Sequence, residues 1–255
     1  MVSRWHWNNP VPVAKALSFF PYLTQNEQII YNEQDAFSPA WSAEGKWIAF
    51  DAGGGDRADI WRVPANGGTA EKIVDHPGAD WLPTYSPDGQ YLCFLSNRSG
   101  QFDLWLMNLH TGETTKLTNT PGNESRGFWS HDASKLAFFQ NYPEQGNAAV
   151  CVYDFIQKQQ RTVHWFSQAD LAMEAESEIS VLRKIAWSQD GRKLYFFKTE
   201  FLELDLTSLA VQPVLARKPG SLPGPGGQFG VVDDRLYMII TYGASINTYL
   251  AEIVR

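Results

Sequence analysis

The sequence has few basic residues, few cysteines and no long apolar run, and each shortage excludes a class of protein. Its 255 residues contain 21 Lys and Arg against 28 Asp and Glu, giving a formal net charge of −7 at pH 7. Nucleic-acid-binding proteins need a basic face that displaces counterions, so the charge balance excludes DNA and RNA as partners. Two cysteines, Cys93 and Cys151, are too few for a disulfide framework, and we expect buried free thiols.

The sequence also lacks a membrane segment and a signal peptide. No apolar run approaches the roughly 20 residues that a membrane-spanning helix needs. No uninterrupted apolar core follows a basic start within residues 1–20. We therefore expect a soluble chain without membrane insertion that is cytoplasmic as it stands. A periplasmic protein whose leader had been removed would have the same features.

Catalytic sequence motifs are absent as well. There is no Gly-x-Ser-x-Gly elbow, which excludes the serine nucleophile of the α/β-hydrolases. The histidines show no His-x-x-x-His spacing of the kind that binds zinc. The five histidines are His6, His76, His110, His131 and His164. No cofactor is therefore predicted, and we expect His110 and His131 to be exposed turn residues.

What the chain does contain is an internal repeat. An aromatic residue followed by serine recurs after 44, 44 and 58 residues, and a phenylalanine lies nine residues after each aromatic. The aromatic residues are Trp41, Tyr85, Trp129 and Trp187, and the phenylalanines are Phe50, Phe94, Phe138 and Phe196. Agreement at several positions in four copies predicts a repeat architecture, in which each copy needs its neighbours to bury both faces.

The second copy indicates what one repeat builds. Residues 81–118 contain four short apolar or alternating runs separated by polar turns, which is typical of a small antiparallel sheet. In the first turn, Pro87 presets φ, Asp88 caps the turn and Gly89 accepts a left-handed conformation. We expect these three residues to be structural.

Repeated four-stranded sheets predict an all-β protein, a β-propeller of five blades. A sixth blade would be present if residues 11–31 and the later insertion contained a degenerate copy. Residues 230–232, 236–240 and 249–253 supply only three C-terminal strands. We therefore expect Ile29–Ile30 to form the fourth, so that the N-terminal strand closes the last blade and removes its exposed edge.

The predicted domain organisation is a single propeller domain over residues 1–255. Residues 1–24 form an N-terminal extension, and residues 166–181 form an insertion between the third and fourth blades. Residues 168–176 within the insertion are helix formers without Gly or Pro, which predicts a short helix or an ordered loop.

The repeat resembles the TolB-type propeller repeat. The resemblance lies in Trp-Ser-x-Asp-Gly, a following aliphatic-aromatic strand, Asp-Ile/Leu-Trp and a terminal Lys-Leu-Thr, as in residues 59–61, 103–105 and 116–118. It covers about residues 25–255 and is sharpest over residues 37–140. Similar repeats occur in propellers attached to prolyl oligopeptidase and tricorn-type proteases. The resemblance implies the fold, but it leaves receptor, scaffold and enzyme gate open as functions.

Local function is expected on the loops that do not repeat. These are the connections into the innermost strand and between the second and third strands, which share one rim around the channel in propellers. Mixed charge with aromatic residues suits a protein or peptide ligand, and solvated loops have the same composition. The candidate binding residues are Asp35, Asp56, Arg57, Asp80, Trp81, Asn97, Arg98, Glu124, Arg126, Tyr142 and Arg183.

Residues that recur in every copy are expected to be structural. Asp59 and Asp103 hold the same repeat position, so each should bond a neighbouring strand or turn. The ten tryptophans mostly occupy repeat positions and should fill the space between blades.

We therefore predict a non-enzymatic platform that binds a protein or peptide through its rim loops and channel mouth. The contacts expected first are Trp81, Arg98, Arg126 and Tyr142.

The alternative is a propeller hydrolase, either glycosidase-like or metal-assisted, that uses channel-facing carboxylates. Asp35, Asp80 and Glu124 are its candidate acids, and the same three residues could bind calcium in the channel. A subunit paired with a separate peptidase is a third interpretation.

Overall fold

The computed structural model describes residues 36–142, 144–166, 184–197, 201–215, 228–232, 235–242 and 245–252. The chain divides into two compact units, Met1–Gly127 and Phe128–Arg255. Within the described ranges, every regular element is a β-strand except the short 3-10 turn Gly55–Arg57. The prediction of an all-β protein is confirmed.

The first unit contains two four-stranded antiparallel sheets, in each of which the strands pair in chain order. The first sheet consists of β1 (Ala36–Trp41), β2 (Trp47–Ala52), β3 (Asp59–Pro64) and β4 (Glu71–Val74). The second sheet consists of β5 (Asp80–Tyr85), β6 (Tyr91–Ser96), β7 (Asp103–Asn108) and β8 (Thr114–Lys116). The two-residue strand β9 (Asn123–Glu124) follows.

The second unit continues with sheets of the same order. The third sheet contains β10 (Phe128–Trp129), β11 (Lys135–Tyr142), β12 (Asn147–Asp154) and β13 (Gln159–Phe166). The fourth sheet contains β14 (Ile185–Trp187), β15 (Lys193–Phe197), β16 (Phe201–Asp205) and β17 (Val211–Leu215). The fifth sheet contains β18 (Gln228–Val232), β19 (Arg235–Tyr242) and β20 (Ser245–Glu252), which confirms the three C-terminal strands.

Each sheet has two ends. At one end, which we call the loop end, the chain enters the first strand and a loop connects the second strand to the third. We call the other the turn end, because the tight turns between the first and second strands lie there. In the second sheet, residues 97–102 lie at the loop end and residues 86–90 at the turn end.

Strand register confirms the repeat. In each of the first three sheets the repeated phenylalanine of the second strand lies directly opposite an equivalent residue of the third strand. The pairs are Phe50 with Trp61, Phe94 with Trp105 and Phe138 with Cys151. Cys151 therefore takes the position of a repeat tryptophan, and both cysteines are buried free thiols, as predicted.

The turns after the first strands are structural, as predicted. The Ser86 hydroxyl donates to the Asp88 carboxylate at 2.5 Å and accepts the Tyr91 N–H at 2.9 Å. The same serine–aspartate bond, at 2.6 Å, recurs between Ser130 and Asp132 and between Ser188 and Asp190. His110 and His131 are exposed in turns, which confirms that prediction too.

Neighbouring sheets bury one another within each unit. One core joins the first two sheets, and its buried residues are Ala49, Ile60, Val74, Leu92, Phe94 and Met107. A second core joins the third and fourth sheets and includes Trp187, which is 3% exposed. The predicted packing role of tryptophan is wrong for Trp41 and Trp165, which are 44% and 53% exposed. Trp41 ends its strand at the turn end, and Trp165 lies on β13, the outermost of the described strands of the third sheet.

The innermost strands of the first unit are irregular at matching positions. The register of β1 against β2 shifts between Phe37 and Ala40, and Ser38 there has a φ of 52°. In β5 the equivalent Leu82 has a φ of 55°. A left-handed residue other than glycine costs free energy, and such bulges re-aim the backbone carbonyl groups beside them.

Several predicted features lie outside the described residues. They are the N-terminal extension, the strand Ile29–Ile30, Asp35, Arg183 and the insertion from residue 167 onwards. In the part of the chain that is described, no helix has the length and apolarity needed to cross a membrane.

Candidate functional site

Four predicted site residues lie at the loop end of the second sheet, and two of them pair directly. The four are Asp80, Trp81, Asn97 and Arg98. Asp80 begins β5 and pairs in register with Ser96, the last residue of β6. The Arg98 Nη2 atom donates to both carboxylate oxygens of Asp80, at 2.9 and 3.0 Å. The side chains of Arg98 and Asp80 are only 9% and 0% exposed. The pair is therefore an internal ion pair that joins the start of β5 to the loop after β6.

The surroundings of Arg98 hold it in place. Its Nε donates to the Ser96 hydroxyl at 2.8 Å, and its guanidinium lies 4.7 Å from the centroid of the Trp105 ring. Burial raises the pKa of Asp80, while hydrogen bonds from Ser96 and Arg98 oppose that rise. A buried charge pair with additional hydrogen bonds tolerates little displacement.

Asn97 also binds the chain internally. Its side-chain oxygen accepts the backbone N–H of Ala79 at 2.8 Å, and its own N–H donates to the Ala79 carbonyl. A Cβ at Gly78 would lie 2.6 Å from the same Asn97 oxygen. The loop entering β5 is thus held against the loop that leaves β6.

Arg126 joins the two irregular innermost strands. Its Nη2 atom donates to the carbonyls of Ser38 and Pro83, both at 3.3 Å. Asp51, on β2, accepts the N–H of Leu82 at 3.1 Å. Burial lowers the pKa of Arg126 while the charge of Asp51 opposes that change, and burial raises the pKa of Asp51.

Sequence reasoning missed Asp51. Within Trp47–Ala52 it stands among buried apolar residues, and it is itself 6% exposed. A single carboxylate inside an otherwise apolar strand is the signal that could have found it, because a buried charge requires a partner.

Glu124 is a buried acid of the first unit whose pKa lies well above its usual range. It is 4% exposed, and its carboxylate accepts the Thr120 hydroxyl at 2.7 Å. Burial raises its pKa to about 7; the Thr120 and Thr118 hydroxyls oppose the rise and the charge of Asp103 adds to it. The folded protein therefore holds a proton on Glu124 more readily than an exposed glutamate does.

The recurring aspartates bond neighbouring strands, as predicted. Asp103 pairs with Lys116 of β8 at 2.8 Å, and Asp59 pairs with Lys72 of β4 at 2.8 Å. Asp103 also accepts hydrogen bonds from Ser99 and Gln101. These carboxylates tie the third strand of each sheet to its fourth.

Aromatic pairs lie at the loop ends of two sheets. Trp81 stacks on Phe102 with ring centroids 4.9 Å apart. In the second unit, Tyr142 packs against Trp165 at 5.7 Å. Phe102 and Trp165 were not among the predicted residues. Their sequence signal was weak, since each is a single aromatic residue in a polar loop or on an outer strand.

Asp56 and Arg57 lie on the 3-10 turn Gly55–Arg57, in the loop between β2 and β3, and both are exposed. The glycines before them have positive φ values of 110°, 69° and 57° at Gly53, Gly54 and Gly55. These two charged residues are therefore displayed on a glycine-rich loop.

Metal binding stays a prediction. Among the described residues there is no group of three or more His, Cys, Asp or Glu side chains that could hold a metal ion. Asp80 and Glu124 are the described members of the predicted calcium cluster, and Asp80 has Arg98 as its internal partner.

A comparison with protein families finds one matching model. It is described as the TolB β-propeller domain, and it matches residues 16–198. No curated protein matches the chain in sequence.

Solved structures with similar folds include two TolB structures and an enzyme. TolB from Acinetobacter baumannii is 18% identical over 72% of this chain and 44% of its own, with a TM-score of 0.58. A putative TolB from Agrobacterium tumefaciens is 19% identical over 55% of this chain and 52% of its own, with a TM-score of 0.50. Oligogalacturonate lyase from Vibrio parahaemolyticus is 13% identical over 90% of this chain and 69% of its own, with a TM-score of 0.64.

These similarities establish the fold as a β-propeller, and the number of blades stays a prediction. The chain spans about half the length of the two TolB chains, 44% and 52%. At sequence identities this low, structural similarity shows only the fold.

Proposed function

Because the chain belongs to the TolB β-propeller family, we propose that it is a non-catalytic platform that binds a protein or peptide at the loop ends of its sheets. The proposal rests on the aromatic pairs there. Trp165 is 53% exposed while its ring packs against Tyr142. A large aromatic side chain that is both exposed and held by a neighbour is the kind of anchor that dominates binding energy at protein interfaces.

The charged and polar residues at the loop end support this role by holding the surrounding loops in place. Arg98 and Asp80 bond each other rather than solvent, and Asn97 holds the entering loop. Side chains that are ordered before binding lose less conformational entropy when a partner docks. Asp80, Asn97 and Arg98 therefore favour binding by ordering the loops and do not themselves contact the partner.

The platform is tested by selecting peptides from a random display library on the full chain and measuring their affinity by fluorescence polarisation. Truncating an aromatic anchor should weaken binding by about tenfold or more. We expect this loss for Trp81→Ala, for Trp165→Ala, or for both, depending on which sheet the peptide occupies.

A matched control is available on the third sheet. Ile156 is 79% exposed and lies in the turn between β12 and β13, at the turn end. Ile156→Ala removes a similarly exposed apolar side chain and should leave the affinity unchanged. Peptides that bind equally well to the Trp81 and Trp165 variants, or that lose affinity with Ile156→Ala alone, would place the site elsewhere.

Reversing the charges of Arg98 and Arg126 is a poorer test. A carboxylate at position 98 would face the buried Asp80 directly, and one at position 126 would face the carbonyls of Ser38 and Pro83. Either change would damage the sheets themselves. Loss of binding would then report misfolding.

A carbohydrate-directed enzyme is the second candidate function. The pKa of Glu124, about 7, favours it, because a general acid or base works best near the ambient pH. Incubation with oligogalacturonate, followed by ultraviolet detection of unsaturated products, tests this candidate. If the wild-type chain forms unsaturated product and Glu124→Gln does not, the protein is a lyase and not a binding platform.

A further inference from the structure

A groove lies at the turn end of the first unit, away from the proposed platform. It has a volume of about 380 Å³ and runs between the turns of the first and second sheets. The first sheet contributes Glu44, Trp47 and Arg62, and the second contributes Tyr85 and Leu109. A cleft of this size suits a small molecule.

Arg62 presents a positively charged edge to this groove. Its Nε donates to the Glu71 carboxylate, and its guanidinium lies 4.3 Å from the centroid of the Trp47 ring. Among the described residues, no hydrogen bond or ion pair is made by its two Nη atoms. Glu71 and Trp47 therefore fix the plane of the guanidinium and leave two parallel N–H donors, the geometry that binds a carboxylate.

Glu44 supplies the opposite charge. It lies in the turn between β1 and β2 and is exposed, and within the described ranges its carboxylate has no ion-pair or hydrogen-bond partner. The turn of the neighbouring sheet lies close, since a Cβ placed on Gly89 would be 4.0 Å from the Glu44 Oε2 atom. A cationic group in the groove would therefore meet this carboxylate.

The Tyr85 hydroxyl lies near both charges. Its oxygen is buried and, in the part of the chain described, has no hydrogen-bond partner. Burial raises the pKa of Tyr85 to about 12; the charge of Arg62 opposes the rise, and those of Glu44 and Glu71 add to it. Because this oxygen is shielded from solvent, Arg62 and Glu44, and not the Tyr85 hydroxyl, are the groups that a ligand in the groove can contact.

We propose that this groove binds a free α-amino acid. The carboxylate would pair with Arg62 and the ammonium group with Glu44, and the side chain would lie against Leu109. A zwitterion is favoured because the groove displays one charge of each sign, and Leu109 offers an apolar contact to the ligand side chain. This site is separate from the loop-end platform, so either proposal can fail alone.

Three probes of nearly equal size separate the contributions, with binding to the full chain measured by calorimetry. L-leucine carries both charges, 3-methylbutylamine lacks the carboxylate and 4-methylpentanoate lacks the ammonium group. We expect leucine to bind and each singly charged probe to bind at least about tenfold more weakly, the effect of about 1.4 kcal/mol. L-phenylalanine extends the test to a larger side chain, and a leucine dipeptide, whose two charges lie on different residues, should bind more weakly than leucine.

The variants assign each charge to its residue. Glu44→Gln should weaken leucine at least about tenfold and leave 4-methylpentanoate unchanged. Arg62→Lys keeps the positive charge but removes the two-pronged donor geometry, so it should weaken leucine and 4-methylpentanoate together. Glu113→Gln removes an exposed acid outside the groove and serves as the matched control.

Two results would overturn the proposal. One is that leucine and phenylalanine both fail to bind the folded wild-type chain. The other is that they bind with an affinity that neither Glu44→Gln nor Arg62→Lys changes. Circular dichroism of each variant shows that a lost affinity comes from the groove and not from unfolding.

Discussion

Replacing Glu124 by glutamine should stabilise the protein at alkaline pH. The change keeps the size of the side chain and an oxygen that can accept the Thr120 hydroxyl, and it removes only the charge. Glu124 is 4% exposed, and burial raises its pKa from 4.5 to about 7. The ionised form is therefore the unfavourable one in the folded protein.

The sign of the effect follows from the two pKa values. Between pH 4.5 and about 7 the folded protein retains a proton on Glu124 that the unfolded chain has lost. The folded state therefore loses stability as the pH rises through this range, and the loss is complete above about pH 7. The two pKa values differ by about 2.5, and each unit corresponds to about 1.4 kcal/mol, so the full effect is about 3 kcal/mol.

Several neighbours act on the same carboxylate. Asp103 raises the pKa of Glu124 by its charge, whereas the Thr120 and Thr118 hydroxyls lower it. Asp103 is itself paired with Lys116 at 2.8 Å. These groups remain in the variant, so the difference between wild type and Glu124→Gln isolates the ionisation of Glu124.

The measurement is urea unfolding followed by tryptophan fluorescence at pH 5, 6, 7 and 8. We expect the variant to exceed the wild type by up to about 3 kcal/mol at pH 8 and by less than about 1 kcal/mol at pH 5. Glu113→Gln, at an exposed position, should show no such trend. Equal stability of Glu124→Gln and wild type at every pH, or a less stable variant at pH 8, would refute the reasoning.

Three further predictions concern stability and reactivity. Ala133 has a φ of 58° where Gly89 in the second sheet has 69°, so Ala133→Gly should raise the thermal midpoint, gaining roughly 0.5–1 kcal/mol, and Gly89→Ala should lower it. Arg98→Ala leaves Asp80 buried without its cation and should lower the free energy of unfolding, measured with urea, by about 3–5 kcal/mol. Adding Asp80→Asn to the same chain should restore part of that loss. Burial raises the pKa of the Cys93 thiol, so both buried cysteines should resist a thiol reagent until urea unfolds the chain; rapid labelling of the native protein would contradict this.

The repeated part of the fold could be predicted because its signals are local. The turn bonds of Ser86 and Asp88 depend on residues within five positions. The opposition of Phe94 and Trp105 follows from strand period and turn length. Because those features recur in each copy, the structure of one copy can be inferred from that of another.

The site was less predictable because its contacts join distant segments. Arg126 bonds Ser38, which lies 88 residues earlier. Asp80 and Arg98 were predicted as separate loop-end candidates, and their pairing depends on a tertiary distance that the sequence does not give. The turn-end groove was not predicted at all, because Tyr85 was interpreted only as a repeat aromatic and the groove is formed by residues of two separate sheets.

Departures from the repeat explain how similar sheets keep their order. Ser38, Leu82 and Arg126 each stand three residues before the aromatic of their copy. In the first two copies this position holds a left-handed residue, and the carbonyls of Ser38 and Pro83 point to one place. In the third copy the same position supplies the cation that binds both carbonyls. Exchange of one copy for another would leave two carbonyls without a donor or a guanidinium without acceptors. Because such buried groups are costly without partners, the contact of Arg126 holds the first two innermost strands together, a requirement that apolar packing between like sheets would not impose.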